Sequence, residues 1–157
     1  MKIAIVFHSK TGTTKKFAEI IAEAVKRKNH SIDLIELKVT GLPKLRTEDA
    51  QIENIPDCSK YDLVMIGSPV WGFTATPVTI TCLKKITGIK GKKIVPFITM
   101  GFPFVSMGGT QTANLISKLA KEAGATPLQA VIVPKMFHKY FELMKSEAEN
   151  IANRISG

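Results

Sequence analysis

Continuous apolar runs alternate along the chain with stretches in which apolar residues recur at helical spacing. The first run, Lys2–Phe7, is apolar throughout after its lysine, which is typical of a strand buried on both faces. Apolar residues then recur three and four positions apart, at Phe17, Ile20, Ile21, Ala24 and Val25. This spacing places them on one side of a helix. The chain therefore opens with a predicted strand followed by a predicted amphipathic helix.

The same alternation continues to the end of the sequence. Four more apolar or alternating runs predict strands, namely Ser31–Leu37, Leu63–Ile66 before Gly67-Ser68-Pro69, Lys93–Thr99 and Gln129–Val133. Helical spacing predicts three more helices, over Val78–Ile86 after Pro77, over Leu115–Ala123 before Gly124, and over Tyr140–Ile155. Between the second and third strands, Thr40–Lys60 is rich in turn formers, which predicts an irregular or short-helical crossover.

Alternating strands and helices predict an α/β protein. Such a chain forms a mostly parallel sheet with helices on both faces, joined by right-handed crossovers. Ligands of these sheets bind at the carboxyl ends of the strands. Three loops lie at those ends, Ser9–Thr14, Ser68–Thr76 and Met100–Thr110, and we expect the sheet to bring them together.

The loop after the first strand is the most informative about function. It reads Ser9-Lys10-Thr11-Gly12-Thr13-Thr14, so four of its six residues carry a hydroxyl. It precedes a helix, whose free N–H groups and positive dipole end favour an anion, and we therefore favour a phosphate-bearing ligand. The alternative is that one hydroxyl caps the helix and Gly12 only turns the corner. Neither the Walker pattern nor the three-glycine dinucleotide pattern occurs here.

The other two loops suggest walls for a flat ligand. Trp71, the only tryptophan, stands between Pro69 and Gly72, where its ring would otherwise expose apolar surface to water. The segment Met100–Thr110 is apolar for a loop, and its glycines allow backbone amides to come close to a ligand. The alternatives are a Trp71 that folds into the core and a third loop that serves packing or a protein contact. Together the three loops predict a mononucleotide site with a planar ring.

Composition and charge narrow the class of protein. The 157 residues are 45% hydrophobic, which favours one soluble domain, and the apolar run at the N-terminus is too short for a signal segment or a membrane span. We therefore expect a cytoplasmic protein. Cys58 and Cys82 form no paired motif, and we expect His8, His30 and His138 to be surface or packing residues rather than metal ligands.

The formal net charge of +9 indicates attraction to acidic proteins, phosphates or nucleic acid, and by itself it names no partner. Lysines are scattered in pairs without interleaved aromatic residues, which favours solvated helix faces, so we do not expect nucleic-acid binding.

The first and second of the three loops resemble those of a known family. Ser9, Thr11, Gly12 and Thr14 after the first strand, together with the Trp71-Gly72 pair after the third, resemble the pattern of flavodoxins. The resemblance extends over nearly the whole chain. It implies a flavodoxin-like three-layer sandwich with a five-stranded parallel sheet in the order 2-1-3-4-5, and FMN as a non-covalent cofactor.

The resemblance also implies which residues bind the cofactor. The phosphate positions would be Ser9, Lys10, Thr11, Gly12, Thr13 and Thr14, with Lys10 contributing its backbone N–H and its side chain free in solvent. The ring would lie between two groups, Ser68, Pro69, Val70, Trp71 and Gly72 on one loop and Thr99, Met100, Gly101 and Phe102 on the other. In the family, the peptide after the Trp-Gly step can turn its carbonyl toward the flavin, and Gly72 would permit that turn.

The resemblance favours an electron carrier that shuttles electrons between redox partner proteins, without catalytic residues of its own. The alternative is a flavin-dependent NAD(P)H or quinone reductase of the same fold. Many flavodoxins are acidic and carry Asp or Glu after Trp-Gly, whereas this chain has Phe73-Thr74-Ala75-Thr76 and a positive charge. We therefore expect acidic partners and a raised potential for the anionic reduced flavin. The sequence does not fix the oligomeric state, and both a monomer and a weak dimer are open.

Overall fold

A sheet of mostly parallel strands runs through the protein, and helices cover both of its faces. The computed structural model describes residues 1–41, 50–135 and 139–157. The strands are β1 (Lys2–Phe7), β2 (Ser31–Glu36), β3 (Leu63–Trp71), β4 (Thr74–Ala75), β5 (Lys93–Met100), β6 (Thr126–Pro127) and β7 (Val131–Pro134). The helices are α1 (Thr13–Lys26), α2 (Pro77–Lys85), α3 (Gly109–Glu122) and α4 (Tyr140–Ser156). The predicted crossover over Thr40–Lys60 lies in part outside these residues, and His138 lies outside them.

The strand order confirms the predicted parallel sheet. Strands β2, β1, β3 and β5 are neighbours in that order and run parallel. The fifth position is divided between β6 and β7, which both pair in parallel with β5. The fifth strand predicted from Gln129 therefore begins two residues later, at Val131, and is preceded by a short piece that ends at Pro127. The N–H groups of Thr126 and Leu128 donate to the carbonyls of Lys92 and Ile94, so Pro127 has its missing N–H on the free side of this edge strand, where proline is tolerated.

Alternate residues of the strands supply two hydrophobic cores. On β1, Ala4 and Val6 face the core shared with α2 and α3, whereas Ile3 and Ile5 face the core shared with α1 and α4. Because both faces are covered, the central strands are continuously apolar, which is the pattern that made them recognisable. No helix in the described part of the chain is long and apolar enough to cross a membrane.

Strand β3 is longer than its sequence predicts. It was expected to end at Gly67-Ser68-Pro69, but Ser68 and Pro69 continue to pair with β5, and the strand reaches Trp71. Gly67 does not turn the chain; it lies beside Phe97, and a side chain at this position would overlap the Phe97 ring. Pairing between β1 and β3 ends at Gly67, so Pro69 lies where β3 has one free edge, a position that tolerates proline.

The predicted loop Ser68–Thr76 is therefore mostly a hairpin. Trp71 pairs with Thr74 across a two-residue turn formed by Gly72 and Phe73. Both turn residues have positive φ angles, 54° and 64°, as in the primed turns that join antiparallel strands tightly. Helix α3 likewise begins earlier than predicted, at Gly109, so the third loop ends before that residue.

Candidate functional site

Ser9 organises the loop between β1 and α1. Its hydroxyl oxygen accepts hydrogen bonds from the N–H groups of Gly12, at 3.1 Å, and Lys15, at 3.3 Å. Gly12 stands immediately before α1 with a φ of 88°, a conformation that costs glycine little. Ser9 thus performs the capping role that was the alternative reading of this loop, and its contact with a phosphate stays a prediction.

The first turn of α1 retains donors for an anion. The N–H groups of Thr13 and Thr14 have no acceptor among the described residues. The hydroxyls of Thr11 and Thr13 lie 3.3 Å apart on the exposed side of the loop, and the turn contains no acidic residue. Hydroxyls and N–H groups at the positive end of a helix dipole are the donor set that binds phosphate in many proteins.

Thr14 links this loop to the end of β5. Its hydroxyl lies 2.8 Å from that of Thr99, and both side chains are buried. Each hydroxyl has one proton and two lone pairs, so the pair can satisfy itself and still offer one O–H to a third group. Sequence reasoning assigned Thr14 to the phosphate and Thr99 to the ring, and it did not foresee that the two residues meet.

Trp71 stands beside the first loop. Its half-buried ring meets the His8 ring edge to face, with centroids 5.6 Å apart. The Lys10 ammonium lies 4.6 Å from the centroid of the Trp71 ring. Lys10 is exposed, as expected, but its side chain is not free of contacts, because the electron-rich face of the indole attracts its charge.

A cavity of about 210 Å³ lies where the three loops meet. Its lining is Lys10, Thr11, Thr13, Pro69, Val70, Trp71, Thr99, Met100, Gly101 and Lys135. All but Lys135 were predicted from the sequence. The signal in the sequence that could have revealed Lys135 is its position directly after the last predicted strand. In the structure it follows β7, and its N–H donates to the carbonyl of Met100 at 2.6 Å. The cavity is smaller than the roughly 300 Å³ at which complete ligand sites begin, so it can enclose only part of a nucleotide.

The remaining predicted residues lie around this cavity rather than in its lining. They are Ser9, Gly12, Thr14, Ser68, Gly72 and Phe102. Ser68 is fully buried, and its hydroxyl donates to the carbonyl of Pro69 at 2.8 Å. A contact between the Ser68 side chain and a ring stays a prediction.

A buried chain of hydrogen bonds supports the hairpin from below. The Thr79 hydroxyl donates to Ser68 at 3.0 Å, so the Thr76 hydroxyl must donate to Thr79, also at 3.0 Å. Thr76 then has no proton for His8, and the His8 Nδ1 must be the donor to the Thr76 oxygen, 3.1 Å away. Thr76 also accepts the Thr79 N–H as the N-cap of α2.

Burial governs the charge of His8. Desolvation lowers the pKa of its imidazole below 6.5; nearby Glu36 raises the pKa and Lys10 lowers it. The buried imidazole is therefore neutral near pH 7. Sequence reasoning treated His8 only as a surface or packing residue and did not foresee its bond to Thr76, which is 68 positions away.

Comparison with known proteins assigns the family. The model of the flavodoxin domain matches residues 4–155, and the chain therefore belongs to the flavodoxin domain family. A search of curated proteins gave no match.

Solved structures share the fold at low sequence identity. A flavodoxin from the domain Archaea is 18% identical over the whole of both chains, with a TM-score of 0.65. Flavodoxin 2 from Bacillus cereus is 20% identical over 98% of this chain and 99% of that one, with a TM-score of 0.69. A flavoprotein from Lactobacillus acidophilus in complex with FMN is 22% identical over 83% and 92%, with a TM-score of 0.64.

The family supports FMN as the cofactor, and the site fits it. The donors of Thr11, Thr13 and Thr14 suit a phosphate, and the Trp71 ring beside Met100 and Gly101 suits an aromatic ring system. The two parts of such a ligand would meet chemically different ends of one site.

Proposed function

We propose that this protein is an electron carrier that holds one FMN non-covalently and exchanges electrons with redox partner proteins. The observation that carries the proposal is the cavity in which hydroxyls of the first loop, the Trp71 wall and the Met100-Gly101 segment meet. FMN supplies the redox chemistry when bound, so the protein has to bind, orient and tune it. The FMN held by the Lactobacillus acidophilus relative supports this assignment.

The residues divide between the two ends of the cofactor. Thr11, Thr13 and the first N–H groups of α1 would hold the phosphate. Trp71 on one side and Gly101 on the other would flank the ring. The positive φ angle of Gly72 places the turn after Trp71 where a carbonyl can be redirected at small steric cost.

Positive charge near the ring is expected to tune its potential. Lys10 and Lys135 both line the cavity, and neither forms an ion pair with another described residue. A cation stabilises an anionic reduced flavin more than a neutral oxidised one. Potentiometric titration should therefore give a higher potential for full reduction than in acidic flavodoxins, and a potential as low as theirs would contradict this.

The first experiment is calorimetric titration of the apoprotein with FMN and with riboflavin, which lacks the phosphate. We expect one FMN per chain and much weaker binding of riboflavin. Thr11→Val should weaken FMN about 10- to 100-fold, as expected for a lost hydrogen bond to a charged group, and leave riboflavin unchanged. Thr87→Val is the control, since this exposed threonine bonds to Asp57 at a distant bridge. Equal losses for FMN and riboflavin would refute the phosphate assignment.

Mixing the FMN-loaded protein with NADPH or NADH separates the carrier from the alternative reductase. A carrier is reduced slowly or not at all by either nucleotide, whereas rapid reduction would replace the proposal with the reductase. The proposal includes a cytoplasmic location, which fractionation of cells would check.

A further inference from the structure

Exposed apolar side chains are concentrated next to the candidate cofactor site. Seven large hydrophobic residues are exposed in the described part of the chain, and four of them belong to the hairpin tip and the loop before α3. We call these four the aromatic patch: Phe73 (55% exposed), Phe102 (44%), Phe104 (64%) and Val105 (44%). Large apolar side chains gathered on a surface in this way mark an interaction site more often than side chains scattered singly.

Contacts between the hairpin tip and the loop before α3 hold the patch together. Phe73 occupies a turn position with a φ of 64°, where glycine or asparagine is favoured and a bulky side chain is strained. Its ring stacks on that of Phe102, with centroids 5.6 Å apart and planes 9° from parallel. A Cβ at Gly108 would lie 2.8 Å from the Phe73 Cα, so the loop before α3 sits directly against the hairpin. A strained, half-exposed phenylalanine gives the fold little stability, which points to a contact outside the chain.

Two lysines lie beside the patch, and its own stretch of the sequence carries no acidic residue. Between Asp62 and Glu122 the sequence contains no Asp or Glu, and this stretch includes the whole patch. Lys10 and Lys135 line the adjoining cavity and form no ion pair with other described residues. A surface that combines an apolar centre with uncompensated positive charge complements an apolar surface bordered by carboxylates.

We propose that the aromatic patch is the docking site for an acidic redox partner protein. This inference rests on the proposed function. The patch adjoins the cavity, because Phe102 follows Gly101 of its lining and Phe73 lies two residues from Trp71. A partner seated on the patch would stand beside the cofactor. Apolar contact would hold the complex, while the two lysines would speed its formation.

The experiment measures electron transfer from the FMN-loaded, dithionite-reduced protein by stopped flow. Cytochrome b5 serves as an acidic acceptor and cytochrome c as a basic one. At low salt we expect faster transfer to cytochrome b5, with a rate that falls as ionic strength rises.

Two variants test the patch itself, and a third is their control. Phe104→Asn and Phe73→Asn should each slow transfer to cytochrome b5 about tenfold, the loss expected for an aromatic anchor. Asparagine at position 73 keeps a residue that accepts positive φ, so the turn is preserved. The control is Phe141→Asn, which removes a phenylalanine of comparable exposure (41%) from α4, on the opposite side of the sheet.

The outcomes separate the two proposals. Benzoquinone, a small uncharged acceptor, should be reduced equally fast by the wild type and by all three variants. If benzoquinone is reduced but both patch variants match the wild type with cytochrome b5, or cytochrome c reacts faster, the docking proposal is overturned while the carrier stands. Failure to load FMN overturns both proposals. A dimer that dissociates in Phe104→Asn during sedimentation would assign the patch to a second copy of the chain and overturn the acidic partner.

Discussion

Thr76 is the residue on which the hydrogen-bond chain beneath the hairpin depends. It is fully buried, accepts from both His8 and the Thr79 N–H, and donates to the Thr79 hydroxyl. Thr76→Val keeps the shape of the side chain but removes all three bonds. We predict that this substitution destabilises the protein far more than Thr76→Ser, which retains the hydroxyl.

The magnitude follows from the three lost bonds. At a net value of about 1 kcal/mol each, the three bonds amount to about 3 kcal/mol. This sum includes the N-cap bond, whose loss alone typically costs about 1 kcal/mol. The added methyl group returns about 0.8 kcal/mol of apolar burial. Thr76→Val should therefore lower the free energy of unfolding by about 2 to 3 kcal/mol, and Thr76→Ser by about 1 kcal/mol for its lost methyl group.

Urea unfolding followed by tryptophan fluorescence measures both variants. Trp71 is the only tryptophan, and its ring contacts His8, so the signal comes from the hairpin above the hydrogen-bond chain. With a urea dependence near 2 kcal/mol per molar, the midpoint of Thr76→Val should fall by roughly 1 M or more. The reasoning is refuted if Thr76→Val is as stable as the wild type, or more stable than Thr76→Ser.

Three further predictions concern neighbouring parts of the site. Burial holds the pKa of His8 below its usual 6.5, so as the pH falls the unfolded chain takes up a proton before the folded one does. The free energy of unfolding should therefore decrease below about pH 6.5. Urea titrations at about pH 7.5 and 5.5 measure this loss, and His8→Asn should remove the part of it that His8 causes. Gly67→Ala should cost about 1 to 3 kcal/mol, seen as a lower Tm, because its methyl group overlaps the Phe97 ring. Thr14→Val and Thr99→Val should each cost about 1 to 3 kcal/mol in urea unfolding, and the double variant less than their sum, since each single change leaves one buried hydroxyl without its partner.

Local patterns in the sequence were sufficient to predict most of the fold. The central strands are buried on both faces, so they read as continuous apolar runs, and β1 and β5 begin at the residues predicted. The end of β3 could not be predicted in this way. Gly67-Ser68-Pro69 has the composition of a turn, and the reason for a glycine there is the Phe97 ring, which lies 30 positions further along the chain.

The candidate site was predictable in outline because a parallel sheet brings the carboxyl ends of its strands to one edge. Its internal contacts were not, since each joins residues far apart in sequence. Thr14 and Thr99 are 85 positions apart, and the Lys10 ammonium lies over the ring of Trp71. Spacing rules describe neighbours on one element, so they carry no information about these pairs.

The long-range contacts suggest that the site is held in shape by the protein itself. His8 joins the end of β1 to the N-cap of α2, and Thr14 joins the start of α1 to the end of β5. Both bonds are buried, so water does not compete for them, and breaking either would leave polar groups unsatisfied. The three loops are thereby fixed to one another through the sheet. A cofactor that binds between loops already fixed in this way loses less affinity to ordering them, which favours tight binding without a covalent link.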